Sequence, residues 1–65
     1  MKVHQIASGS ASVSITEAEL VLLNNALNEA LHGLEMSEFD TRVGGSRETV
    51  RELQHQIYLL LSKIK

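Results

Sequence analysis

Three groups of side chains in this chain have the functionality to do chemistry. The first is acidic: His32, Glu35, Glu38 and Asp40 fall close together. Carboxylates beside an imidazole can ligate a hard metal or form an acid–base pair. Their spacing matches no established ligand pattern, so no metal is expected. His4 and His55 lie far from this cluster and from each other, without an evident partner. The second group is Arg42-Val43-Gly44-Gly45-Ser46-Arg47, with Arg51 one helical turn further on. Glycines opening a helix beside arginines can hold an anion through free backbone N–H groups and charge. The segment lacks the lysine and spacing of a phosphate-binding loop and follows no convincing strand. Arg42, Gly44, Gly45, Ser46, Arg47 and Arg51 therefore form an alternative anion- or nucleotide-binding set. The plainer reading is a turn, a helix cap and solvated charges.

The third group is amide-rich. Asn24, Asn25 and Asn28 stand where a helix is expected, although Asn is a poor helix former. At helical spacing Asn24 and Asn28 border the apolar face beside Leu31, with His32 next. The strip Asn24, Asn28 and His32 either satisfies a neighbouring segment of this chain or reads a partner's backbone, and the first is preferred. Seven serines are present, none in a nucleophile-elbow sequence. A chain of 65 residues also leaves little room for a deep pocket. No catalytic residue is assigned, no cofactor is implied, and an enzyme is the least expected class.

The elements that must position these residues are few. Ala11, Val13 and Ile15 alternate with Ser12, Ser14 and Thr16, and Ala7-Ser8-Gly9-Ser10 supplies turn residues, so residues 1–15 read as a β-hairpin. Met1 and Val3 share a parity that Ile6 breaks. A lone hairpin is marginal in water and needs a helix or another copy to lie on. Thr16-Glu17-Ala18-Glu19 is a capping-box sequence opening a helix over 17–33. Leu20, Leu23, Leu27, Ala30, Leu31 and Leu34 line one face of it, and Gly33 suits a left-handed C-terminal position. Residues 34–45 read as a long connection whose Phe39 plugs the end of the helix pair. Ser46 then caps a helix over 47–64, with Lys63 and Lys65 complementing the negative end of its dipole. Val50, Leu53, Ile57, Leu60 and Ile64 make a heptad-like seam, too short for a free coiled coil. Ile57-Tyr58-Leu59-Leu60-Leu61 is apolar nearly all round and calls for a cover.

Composition bounds what such a fold can be. One small domain of the α+β class is expected: a hairpin and two antiparallel helices (ββαα), dimeric. With no Cys, neither a disulfide nor a thiolate metal site can staple it, which leaves helix packing and self-association. Tyr58, Leu59 and Leu61 are the expected dimer interface. No run of 18 apolar residues spans a membrane, and the N-terminal residues lack the apolar centre of a secretory signal. A cytoplasmic location is expected. The net charge of −2 divides into −5 over residues 1–41 and +3 over residues 42–65. Nucleic-acid binding through the basic half of the second helix is therefore a weaker alternative, since backbone binding wants a net basic surface.

From Glu19 to Arg47 the chain resembles a set of small bacterial proteins of unassigned activity. The resemblance rests on Leu22-Leu23-Asn24-Asn25-Ala26-Leu27-Asn28-Glu29, Gly33, Glu38-Phe39, Thr41-Arg42, Gly44 and Ser46-Arg47-Glu48. It implies a bacterial source and a strand–strand–helix–helix order, and brings no catalytic residues with it. The expected function is a small protein-interaction module, immunity- or antitoxin-like. Glu29, Glu35, Glu38 and Asp40 would meet a basic partner protein, with Phe39 as the apolar anchor.

Overall fold

The computed structural model describes residues 1–64, with every side chain among them except that of Met36. Lys65, expected to reinforce the C-terminal end of the last helix, lies outside the described residues. The order is β1 (Lys2–Ala7), β2 (Ser10–Ser14), α1 (Glu17–Gly33), α2 (Met36–Val43) and α3 (Arg47–Ile64). The α+β class and the N-terminal hairpin are as expected from the sequence. The number of helices is not, because α2 occupies the expected connection.

β1 and β2 pair antiparallel around Ser8-Gly9, where Gly9 takes a φ of +80° that costs an ordinary side chain strain. Val3 faces Val13 and Ile6 faces Ala11, with the register shifting between Val3 and Gln5. His4 is the additional residue of a β-bulge. Inserting one residue inverts the side-chain alternation, so Val3 and Ile6 share a face despite their spacing. That face is completed by Ala11 and Val13. The bulge thus turns an interrupted pattern into one apolar surface.

α1 opens on the expected capping box. The Glu19 N–H donates to Thr16 Oγ1 at 3.2 Å, and the Thr16 N–H donates to Glu19 Oε1 at 3.0 Å. Its end departs from expectation: Gly33 has no positive φ, and the extended Leu34 terminates the helix, donating its N–H to Ala30 at 3.4 Å. The helix that ends on a left-handed glycine is α2, which Gly44, at φ +84°, closes by donating to the Asp40 carbonyl at 2.9 Å. Ser46 caps α3, its Oγ accepting from the Thr49 N–H at 3.1 Å.

α2 forms where a loop was expected because its eight residues satisfy three local demands at once. Glu38 and Arg42 pair across one turn at 3.4 Å, Gly44 stops the helix, and Phe39 is completely buried. Phe39 joins Leu31 and Val50, flanked by Leu27, Ala30 and Leu34. A buried Phe contributes about 3–5 kcal/mol over a truncated side chain, enough to order so short a helix. Leu20 and Ile57 are the other buried core residues.

α1 and α3 run antiparallel, since Glu17 and Val21 lie beside Leu61 and Ser62 while Asn24 lies beside Arg51. The heptad seam divides along its length. Val50 and Ile57 are buried against α1, whereas Leu53, Leu60 and Ile64 stay open to solvent. Every residue of β1 and β2 is also exposed. The accessible surface is 5185 Å². A compact chain of this mass exposes about 4,100 Å². The radius of gyration, 13.3 Å, likewise exceeds the roughly 11 Å of a compact 65-residue chain.

Candidate functional site

Arg47, expected in an anion site, is engaged within the chain. Its guanidinium donates to the Leu31 carbonyl and, at 2.6 Å, to the Leu34 carbonyl, and lies 4.7 Å from the centre of the Phe39 ring. Those carbonyls belong to the last turn of α1 and its cap, where helical partners run out. One planar fork thus closes α1, steadies Phe39 and ties both to the first residue of α3. Arg47 Nε is buried without a partner.

The rest of the anion set is dispersed. Ser46 is used as the α3 cap, its hydroxyl also 2.9 Å from Thr49 Oγ1. Arg42 is paired with Glu38, and Gly44 and Gly45 form the bend between α2 and α3. Arg51 lies beside Asn24, Gln54, His55 and Tyr58 instead. The turn therefore does not assemble an anion cradle from Arg42, Gly44, Gly45, Ser46 and Arg47. Glycine and arginine side by side in sequence cannot reveal that the guanidinium serves a carbonyl sixteen residues away.

The acidic set also changes. Glu29, Glu35, Glu38 and Asp40 are exposed, but Phe39 has no accessible surface. Phe39 is a core residue and cannot anchor a partner while the helices stay packed; its expected role as a plug is the one that holds. Among the described residues, no group of three or more acidic or imidazole side chains could hold a metal ion.

A groove runs along one flank of the α1–α3 pair. It consists of two adjoining cavities of about 330 and 310 Å³ that share Asn24 and Tyr58. Arg51, Gln54 and His55 line one end, and Glu17, Val21, Leu61 and Ser62 the other. Asn24 Oδ1 is buried and has no hydrogen bond among the described residues. Of the expected asparagine strip, only Asn24 reaches the groove; Asn28 and His32 are exposed and line neither cavity. Of the expected dimer interface, Tyr58 and Leu61 belong to the groove. Leu59 projects from the far side of α3, nine residues and half a turn from Val50 in helical phase.

The opposite flank is apolar and was not read as a surface from the sequence. Leu53, Leu60 and Ile64 of α3 fall on one side of the Val50–Ile57 line. Leu23 of α1 falls on the matching side of its own buried line, so the antiparallel pair presents them together. The signal was present in the spacing of Leu53, Leu60 and Ile64, but a seam read as one stripe concealed that half of it faces outward.

Among the described residues, one carboxylate has a clearly displaced affinity for its proton. The N-terminal ammonium paired with Glu19, the Thr16 N–H and the Thr16 hydroxyl hold the Glu19 carboxyl down from 4.5 to about 2. This ion pair joins the start of β1 to the first turn of α1. No described helix is long and apolar enough to cross a membrane. No family model, curated protein or solved structure matches the chain.

Proposed function

We propose that this chain is a non-enzymatic protein-interaction module that works as a homodimer and meets a basic partner with its acidic surface. The observation that carries the reading is the excess of exposed surface, about 1,000 Å² beyond a compact monomer of this mass, most conspicuous at apolar side chains. Small domains without disulfide or metal depend on such surface being covered. Glu29, Glu35, Glu38 and Asp40 form the acidic recognition set, now without Phe39. The −5 charge of residues 1–41 supports an immunity- or antitoxin-like role toward a basic partner. Native mass spectrometry of the protein isolated from its source cell tests this. A species of two chains with an additional protein is expected, and Glu35→Lys with Glu38→Lys should release that protein. A bare single chain at every concentration overturns the reading.

A second reading rests on the groove. Asn24, whose Oδ1 has no hydrogen bond among the described residues, lines the groove with Arg51, His55 and Tyr58, a set that fits an anionic ligand carrying an N–H donor. Nucleotides at millimolar concentration should then raise the melting temperature, because a ligand that binds only the folded chain stabilises it. No shift in melting temperature removes this reading.

A further inference from the structure

We propose that the apolar face of the hairpin seats on the open leucine flank of a second copy, reciprocally, so that two chains close into a two-fold dimer. The inference rests on the self-association reading and assigns it a surface.

Two unpartnered apolar surfaces exist in one chain and do not cover each other. The first is the face that the His4 bulge creates from Val3, Ile6, Ala11 and Val13, with Ile6 79% exposed. The second is the flank bearing Leu23, Leu53, Leu60 and Ile64, each between 41% and 48% exposed. Phe39 covers this flank only where it reaches Leu27, Ala30 and Leu34, near the C-terminal end of α1. The remainder has no cover among the described residues.

The hairpin is held so that it does not fold back onto its own helices. Only Ile15 and Thr16 separate β2 from α1, and Thr16 is fixed by the capping box. The amino terminus of the same arm is bound to Glu19. A two-residue link pinned at both sides leaves the arm projecting, and all of its strand residues remain exposed. A second copy meets no such restriction. A two-fold axis places each arm on the other chain's flank, and the contact closes without leaving a free surface to propagate.

Area and charge agree with this occupant. A stable dimer of ordinary size buries about 800 Å² per partner, close to the roughly 1,000 Å² by which this chain exceeds a compact monomer. The arm also suits a desolvated position: through residue 16 its only Lys, Arg, Asp or Glu is Lys2. Interface centres are depleted in such charges. The groove on the opposite flank, with Glu17 and Arg51, stays on the outside of the dimer.

The absence of cysteine makes the test clean. Ile6→Cys chains are mixed with Leu53→Cys, Leu60→Cys or Ile64→Cys chains and oxidised, and the linked peptides are identified by mass spectrometry. A disulfide between Ile6→Cys of one chain and at least one flank cysteine of the other is expected. Sedimentation equilibrium of Ile6→Glu with Val13→Glu should show dimer affinity reduced at least 100-fold with helix content retained. Tyr58→Glu, in the groove, should leave the dimer intact. A persistent dimer that yields only like-with-like cross-links, or that Tyr58→Glu dissociates, overturns the assigned surface while self-association stands. A wild-type chain that is monomeric throughout refutes the self-association reading itself.

Discussion

Replacing Arg47 by Met removes the fork that joins α1, α2 and α3 while keeping most of the apolar stem. Arg47 gives charge-assisted hydrogen bonds to the Leu31 and Leu34 carbonyls and lies over the Phe39 ring at 4.7 Å. Hydrogen bonds from a charged donor contribute about 1.5–3 kcal/mol each, and a partly exposed cation over an aromatic ring about 0.5–1 kcal/mol. Water can reach helix-end carbonyls once the guanidinium is gone, so the lower figures apply, and the loss comes to about 3.5 kcal/mol. Total stability for a chain of this length is about 3–10 kcal/mol, so Arg47→Met should be among the most damaging substitutions outside the core. Arg47→Lys, whose ammonium cannot span both carbonyls, should lose about half as much. Urea unfolding followed by helical circular dichroism measures both, at one fixed chain concentration so that the proposed self-association enters each measurement equally. Arg47→Met within about 0.5 kcal/mol of wild type, or Arg47→Lys equal to wild type, would refute the assigned role.

Gly44 and Gly45 should respond in opposite ways to alanine, although a Cβ meets nothing within 4 Å at either. Gly44→Ala, at φ +84°, should destabilise by about 1 kcal/mol, whereas Gly45→Ala should be neutral or stabilise by up to about 0.5 kcal/mol. Equal effects in thermal unfolding would contradict the left-handed assignment. Phe39→Ala should cost about 3–5 kcal/mol and remove much of the cooperative transition, and a change below about 1 kcal/mol would show that the aromatic ring is not in the core. Glu19 sets a pH dependence. Its folded pKa lies below its unfolded value, so its contribution is complete above about 4.5 and is lost as pH falls toward about 2. Melting temperature should fall more steeply across that window for wild type than for Glu19→Gln, and N-terminal acetylation should flatten the difference. Parallel curves would exclude the ion pair.

What could be read from the sequence follows how local each cause is. The Thr16–Glu19 capping box, the Ser46 cap and the turn at Gly9 involve residues within three or four positions, and each is found where the residue types place it. The core residues Leu20, Leu31, Val50 and Ile57 follow from helical period alone. α2 escaped because eight residues are too few to establish a period, and Phe39 between two acids resembles an exposed anchor. Three weak cues combined would have found it: the Glu38–Arg42 spacing, Phe39 with Val43 one turn later, and Gly44 as a stop. The His4 bulge was visible only as an irregularity at Ile6, which has meaning once the pairing of Val3 with Val13 and Ile6 with Ala11 is known. The role of Arg47 is not legible in the sequence because its acceptors are 13 and 16 residues away, and adjacency to glycine carries no information about them. Asn24 alone of its strip lines the groove, whereas Asn28 and His32 are exposed further along α1.

The central claim is that the surface this chain leaves open is covered by a second copy of itself. Sedimentation equilibrium of the untagged wild-type protein, from nanomolar to hundreds of micromolar chain, tests it most directly. The account expects a reversible transition from the 7.2 kDa chain to twice that mass, complete in the micromolar range. A single 7.2 kDa species across the whole range would contradict it.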